Sequence, residues 1–308
     1  MKILLTGATG LVGHNILEHK SCKLHTMLVP SHKDLDLCDR RMVHEYLQKE
    51  QPDLVIHAAG IVGSIAANIG APVKFLVDNM DMGRNVIYEA RNVGIKKLIN
   101  LGSSCMYPRD SEKPLTEDMI LKGELEPTNE GYALAKCMCT RLCEYIHRED
   151  EEFLYKTLIP CNLYGRWDKF TGENAHMVPA VIHKLYSAKV NDINEVSIWG
   201  DGTVRREFMY AGDLADCVWQ AVNSFDILPN LMNVGFGYDY TVDEFYTIIA
   251  KVVGYNGKFT HDITKPAGMK RKLTDINKQL KFGWKAKHTL EQGVQEAFEF
   301  YLQHVIKK

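Results

Sequence analysis

The chain opens with Lys2-Ile3-Leu4-Leu5-Thr6-Gly7-Ala8-Thr9-Gly10-Leu11-Val12-Gly13, an apolar run that breaks into glycine at every third position. An Ile- and Leu-rich run that ends in a turn signal predicts a buried strand, and the pattern from Leu11 to His19 predicts a helix. Glycine at 7, 10 and 13 lets the backbone turn tightly, approach a ligand closely and pack the helix on the strand. The helix N-terminus then faces the turn with unpaired N–H groups, which suits a pyrophosphate. The spacing is GxxGxxG, not the GxGxxG of two-domain dehydrogenases. Gly7, Thr9, Gly10, Leu11, Val12 and Gly13 are therefore the first candidates for binding a dinucleotide.

Working outward, apolar runs recur at Leu24 to Val29, Leu54 to His57, Lys97 to Leu101 and Lys156 to Pro160, with an amphipathic stretch from Met80 to Asn92. Strands alternating with helices predict an α/β fold, a Rossmann-type doubly wound parallel sheet with a smaller C-terminal α/β lobe for substrate. The expected division is a dinucleotide-binding domain over residues 1–165 and a nucleotide-sugar lobe over 166–308. The chain is expected to re-enter the first domain near 207–236, where Leu231 to Val234 reads as a strand.

A free ribose 2′-hydroxyl is usually met by an acidic residue after the second strand, whereas a 2′-phosphate needs positive charge. Here the sequence reads Val29-Pro30-Ser31-His32-Lys33. His32 beside Lys33 favours NADP(H), with NAD(H) left open. Asp36 and Asp39 follow, and Ala58, Ala59 and Gly60 close the third strand with residues small enough for a cofactor to lie against the backbone.

The 37 basic and 39 acidic residues nearly cancel, so there is no electrostatic footprint for nucleic acid or an anionic membrane. No membrane span and no signal peptide are expected. The 8 cysteines lack CxxC spacing, so neither a metal site nor a disulfide framework is expected and a cytoplasmic location fits. A small molecule is the expected partner.

Ser103-Ser104-Cys105-Met106-Tyr107 follows a strand directly, where open α/β sheets bind ligands. Tyr132 and Lys136 stand at i and i+4 of a predicted helix and so share a face. A phenol titrating near 10 needs a nearby cation to act at neutral pH, and Lys136 is expected to supply it. A serine hydroxyl from 103 or 104 can hold a carbonyl oxygen against Tyr132. The serines lie 29 and 28 residues before Tyr132, in order after the glycine turn and His57-Ala58-Ala59-Gly60. Together these resemble the extended short-chain dehydrogenase/reductase family, most of whose members act on nucleotide sugars.

Within that family the chain resembles the GDP-L-fucose synthase branch, the GDP-4-keto-6-deoxy-D-mannose 3,5-epimerase/4-reductases, over nearly its whole length. The segments that carry this are 101–108, Leu125-Glu126-Pro127-Thr128-Asn129-Glu130-Gly131-Tyr132-Ala133, Asn162-Leu163-Tyr164-Gly165, His176-Met177-Val178-Pro179-Ala180, and Trp199-Gly200 leading to Arg206-Glu207-Phe208. The resemblance implies Ser103, Tyr132 and Lys136 as the catalytic triad, Cys105 as epimerisation base and His176 as epimerisation acid. It implies Asn162 and His176 beside the cofactor, and Lys184, Trp199, Arg206 and Lys272 around a GDP-sugar. It also implies a homodimer packed through the helix carrying Tyr132 and the one before it. Where bacterial relatives have arginines in the glycine turn, after the second strand and in the Pro-Ala helix, this chain has Thr9, His32 and Lys184.

The residue types make chemical sense without the family. A C4 ketone acidifies the protons on C3 and C5, so a base on one face and an acid on the other can invert both centres through an enolate.

Overall fold

The computed structural model describes every residue except 112, 173–174, 265–269 and 308. In its first half β1 (Lys2–Thr6), α1 (Leu11–Glu18), β2 (Thr26–Leu28), α2 (Arg40–Glu50), β3 (Leu54–His57), α3 (Ile65–Gly70), α4 (Pro72–Asn92), β4 (Lys97–Leu101), α5 (Glu130–Glu149) and β5 (Leu154–Pro160) follow in order. The second half continues with β6 (Asn162–Tyr164), α6 (Met177–Val190), β7 (Glu195–Trp199), β8 (Arg205–Arg206), β9 (Phe208–Tyr210), α7 (Ala211–Asn223) and β10 (Leu231–Val234). After these come β11 (Tyr240–Thr241), α8 (Val242–Val253), β12 (Lys258–Asp262), β13 (Arg271–Lys272), α9 (Asn277–Lys281) and α10 (Leu290–Tyr301).

Six strands form one sheet in the order β10-β5-β4-β3-β1-β2, all of them parallel. The order runs in both directions from β1, so the sheet is doubly wound, as the strand-helix alternation predicts. Parallel sheets are covered on both faces. Ile3, Leu5 and Ile56 point to one face, where Ile16 of α1 and Leu214, Val218 and Trp219 of α7 pack. The intervening Leu4, with Val55 and Leu98, meets Val43 and Leu47 of α2, Val86 and Ile87 of α4, and Cys143 and Ile146 of α5. Trp219 is 1% exposed and its Nε1 donates to the Ile16 carbonyl at 2.9 Å. Its truncation to alanine would cost about 3–5 kcal/mol.

A separate apolar core joins Val181, Ile182 and Leu185 of α6 to Phe245 and Ile249 of α8 and Val294 and Phe298 of α10. Between the two cores lies a short sheet in the order β11-β8-β13, whose parallel pairing puts Lys272 opposite Arg206.

Two boundaries differ from the sequence expectation. The second strand is only Thr26–Leu28, because Lys20–Leu24 forms a 3₁₀ turn that leaves Leu24 exposed. It is an edge strand, and Pro30 soon after it lacks a donor for further pairing. The helix expected from Met80 begins at Pro72, where a proline in the first turn loses no helical hydrogen bond.

Candidate active site

Gly7 has φ +72°, and a Cβ on it would stand 2.7 Å from the Ala59 backbone. A Cβ on Gly13 would stand 2.2 Å from the Gly7 carbonyl oxygen, so these two glycines exist for close packing. Gly10 is different: it is the N-cap of α1, exposed, offers no side-chain cap, and its nearest neighbour is the Gly7 oxygen at 3.4 Å. The first N–H groups of α1, at Leu11 and Val12, thus open on a cradle bare of side chains. Thr9 is exposed at its rim. The far wall is fixed by Thr6, whose Oγ1 lies 2.8 Å from His57 Nδ1 and accepts from the Ala59 N–H at 3.3 Å. Burial first, and Lys136 second, depress His57 from an ordinary 6.5 to about 3, so this ring is neutral. Asn79 pins the chain after Gly60 by accepting from the Ile61 N–H and donating to the Ile61 carbonyl.

His32 and Lys33 are exposed beyond β2. The two aspartates after them are engaged locally. Asp36 accepts from the Cys38 N–H, and Asp39 caps α2 through the Arg41 and Met42 N–H groups. Asp39 therefore has a structural use that its reading as a cofactor ligand did not foresee.

At the C-terminal end of β4 the chain turns through Ser103 into a single 3₁₀ turn, Ser104–Met106. Ser104 is 2% exposed, which leaves Ser103 as the serine that can reach a ligand. The Ser103 Oγ accepts from the Cys105 N–H at 3.2 Å and is close enough to Tyr132 to act on its phenol. Burial pushes the Tyr132 phenol well up, the neighbouring Cys105 adds to this, and Ser103 only partly offsets it. Lys136 was expected to draw it down. Its Nζ instead lies 5.9 Å from the ring centre and donates to the Leu101 carbonyl at 2.9 Å, and burial lowers its own pKa. Tyr132 thus holds its proton more tightly than a free phenol does.

Cys105 carries the most informative contacts. Asn129 Nδ2 donates to its Sγ at 3.2 Å, and Lys272 Nζ stands 3.6 Å from the same sulfur. The Asn129 Oδ1 is buried with no protein partner, an acceptor left for something else. Asn129 had no role in the sequence reading, although it lies in the segment preceding Tyr132. Nothing in the sequence tells that an amide three residues before a tyrosine will reach a sulfur across the 3₁₀ turn.

Arg206 is partly buried beside Lys272. Glu207 is 1% exposed and accepts from the Gly237 N–H and from the N–H and hydroxyl of Thr274. It thereby ties together the strands carrying Arg206 and Lys272. Asn162 Nδ2 donates to the Glu207 carbonyl at 3.0 Å, and Trp199 is exposed at the end of β7. Lys184 donates to the Ser197 carbonyl, so its ammonium lies on the β7 backbone. His176 is the N-cap residue of α6 in the second lobe, near Asp168.

Residues 3–235 match the pattern of the NAD dependent epimerase/dehydratase family. The chain belongs to that family. It is 56% identical over 302 residues to the GDP-L-colitose synthase of Yersinia pseudotuberculosis, which covers 98% of each chain. It is 44% identical over 301 residues to the GDP-L-fucose synthase of Azorhizobium caulinodans, covering 98% of this chain and 96% of that one. Among solved structures, the GDP-mannoheptose C4 reductase of Campylobacter jejuni with NADP bound matches with a TM-score of 0.88 over 98% of both chains at 27% identity. The chain is a nicotinamide-dinucleotide-dependent enzyme, and its glycine cradle fits that cofactor: Gly7 and Gly13 admit no Cβ, and Gly10 has open space in front of an uncapped helix end. No helix among the described residues is long and apolar enough to cross a membrane, and none of them form a group of three or more potential metal ligands. All eight cysteines are free thiols.

Proposed function

We propose that this enzyme epimerises a GDP-4-keto-6-deoxyhexose and then reduces its C4 ketone with NADPH, giving a GDP-6-deoxy-L-sugar. The observation that carries the reading is the Cys105 sulfur, held by Asn129 and faced by Lys272, next to Ser103 and Tyr132. A ketone reductase needs only Ser103 and Tyr132. The adjoining thiol adds a group that can take a proton from carbon.

In this mechanism the Ser103 hydroxyl and the Tyr132 phenol donate to O4 of the sugar. Cys105, acting as a thiolate with the Lys272 ammonium facing its sulfur, takes the proton from C5, breaking C–H and forming S–H, while the C–H electron pair moves into the enolate oxygen held by those two donors. His176 protonates the opposite face and inverts the centre. Once Cys105 has given its proton to solvent and His176 has regained one, the same groups repeat the step at C3 where that carbon carries a hydroxyl. The reduced nicotinamide, when bound, supplies the hydride that converts the ketone to the alcohol. Tyr132 gives its proton to O4 at that stage and regains one from solvent. Arg206 and Lys272, side by side on β8 and β13, would bind the diphosphate as a guanidinium fork and a point charge. Trp199 would flank the nucleotide.

Two products fit this chemistry, GDP-L-fucose and GDP-L-colitose, whose sugars differ in the 3-hydroxyl. The 56% identity to a GDP-L-colitose synthase favours the 3-deoxy ketone, for which only C5 is inverted. The shared GDP-L-fucose synthase likeness favours GDP-4-keto-6-deoxy-D-mannose. Measuring kcat/KM for both ketones with NADPH and NADH decides among them. Turnover of either ketone with cofactor oxidation supports the proposal, and failure to consume NADPH on both would refute it. The exposed His32 and Lys33 support the preference for NADPH.

The exposed apolar residues Val73, Val77 and Tyr88 on α4 and Leu134 and Tyr145 on α5 support a homodimer packed through these helices. Light scattering at twice the 35.0 kDa chain mass is the expected result.

A further inference from the structure

The second lobe brings together Asp168 and His176, each with a buried polar atom that has no protein partner. Asp168 Oδ1 stands 3.9 Å from His176 Nδ1, and the Asp168 side chain is only 6% exposed. Oδ1 already accepts from the Lys169 N–H at 2.8 Å, while Asp168 Oδ2 and His176 Nδ1 are both buried without a hydrogen bond. At 3.9 Å from Oδ1 the ring nitrogen stands about 1 Å beyond hydrogen-bond reach of the carboxylate, and both it and Oδ2 are left unsatisfied.

The loop that holds Asp168 is fixed from outside the second lobe. Trp167 has φ +69°, stacks on His14 at 3.9 Å between ring centres, and donates from Nε1 to Glu18 at 2.7 Å. Arg166 pairs with the same glutamate at 2.8 Å, and its carbonyl accepts from Asn15 Nδ2. Three residues of α1 thus position the residues just before Asp168. His176 begins α6 and its ring makes no cap to that helix.

We propose that Asp168 is a positioning residue for His176: its carboxylate accepts the Nδ1–H of the imidazole, holding the ring in the orientation that presents Nε2 to the sugar. The inference rests on the reading of His176 as the epimerisation acid. In the step it supports, the Nε2–H bond breaks and a C–H bond forms with the enolate's electron pair. The N–H pair stays on the ring, which remains hydrogen-bonded through Nδ1, and solvent later restores the proton to Nε2. The carboxylate balances the imidazolium charge before transfer and fixes the tautomer after it. Because α1 also forms the dinucleotide cradle, the same helix aligns the cofactor turn and the acid of the opposite lobe.

Two readouts on the full chain test this. The first is the ¹⁵N spectrum of the parent at a pH where the ring is neutral: His176 is expected to carry its proton on Nδ1, and a proton on Nε2 alone would overturn the proposal. This measurement needs no variant and no turnover. The second is deuterium wash-in from D₂O at C5 of GDP-4-keto-6-deoxy-D-mannose with NADP⁺, comparing Asp168→Asn, His176→Asn and the parent. Asp168→Asn is expected to slow wash-in roughly 10- to 100-fold with little change in KM, a part of what general acid catalysis supplies. Loss in His176→Asn with parental wash-in and parental tautomer in Asp168→Asn would overturn the inference and leave the proposed function standing. Parental wash-in in His176→Asn would instead remove the acid role on which it rests.

Discussion

Replacing Gly7 and Gly10 separately by alanine separates the two uses of the glycine turn. At Gly7 the φ of +72° costs an L-residue about 1–2 kcal/mol. The new Cβ would also stand 2.7–2.8 Å from backbone atoms of Ala58 and Ala59, which directly follow the buried β3 and, being backbone, cannot swing aside. Overpacking of this kind costs about 1–3 kcal/mol, giving about 2–5 kcal/mol in all. For a domain of this size that lowers the melting temperature by roughly 4–10 °C at about 2 °C per kcal/mol. At Gly10 φ is −88° and the nearest atom to a new Cβ is 3.4 Å away, so Gly10→Ala should cost only about 0.5–1 kcal/mol, the penalty of alanine at an N-cap. Its methyl would nonetheless enter the space over the α1 N-terminus. Gly10→Ala should therefore melt within about 2 °C of the parent yet bind NADP⁺ at least about tenfold more weakly by calorimetry. Parental NADP⁺ affinity in Gly10→Ala would refute the assignment of this turn to pyrophosphate binding, and parental melting in Gly7→Ala would refute the packing role of Gly7.

Other outcomes follow from the site. Cys105→Ser should slow deuterium wash-in at C5 by about 10²-fold or more while sparing reduction of the already inverted ketone, whereas Tyr132→Phe should chiefly slow hydride transfer; equal losses at both stages in both variants would contradict the division of roles. Asn129→Ala removes the 3.2 Å contact to Cys105 Sγ and should affect inversion more than reduction, measured by the ratio of the two rates. His57 binds a proton when unfolded near 6.5 but resists it to about 3 when folded, so the unfolded state holds more protons between those values and stability falls as pH drops through that window. From pH 7 to 5 the loss from this group is on the order of 2 kcal/mol, and urea midpoints of His57→Gln should show a correspondingly shallower acid dependence.

The sheet was legible because its signals are local. Ile3 to Leu5 and Leu54 to Ile56 are continuous apolar runs, as strands buried on both faces must be, and the glycines after β1 mark the turn. Tyr132 and Lys136 share a helix face by spacing alone. The second strand was overextended because Leu24 is apolar but sits in an exposed 3₁₀ turn, where composition says nothing about pairing. Strands of two or three residues, such as Arg205–Arg206 and Arg271–Lys272, carry no readable alternation, so the side-by-side placement of Arg206 and Lys272 needed the structure. Burial was equally hidden. A Tyr-Lys pair suggests a cation lowering a phenol, yet Lys136 donates to the Leu101 carbonyl and desolvation dominates at Tyr132. Asp168 and Glu207 look like ordinary surface acids in sequence, and only tertiary packing removes both from water.

The most direct measurement is the isotopic pattern of the product formed from GDP-4-keto-6-deoxy-D-mannose with NADPH in D₂O. The account predicts deuterium at C5, and also at C3 if the 3-hydroxyl substrate is fully processed, a solvent-independent hydrogen at C4, and one NADPH oxidised per sugar. A C4 alcohol formed with neither C3 nor C5 labelled would reduce the site to a simple ketone reductase and contradict the role given to Cys105.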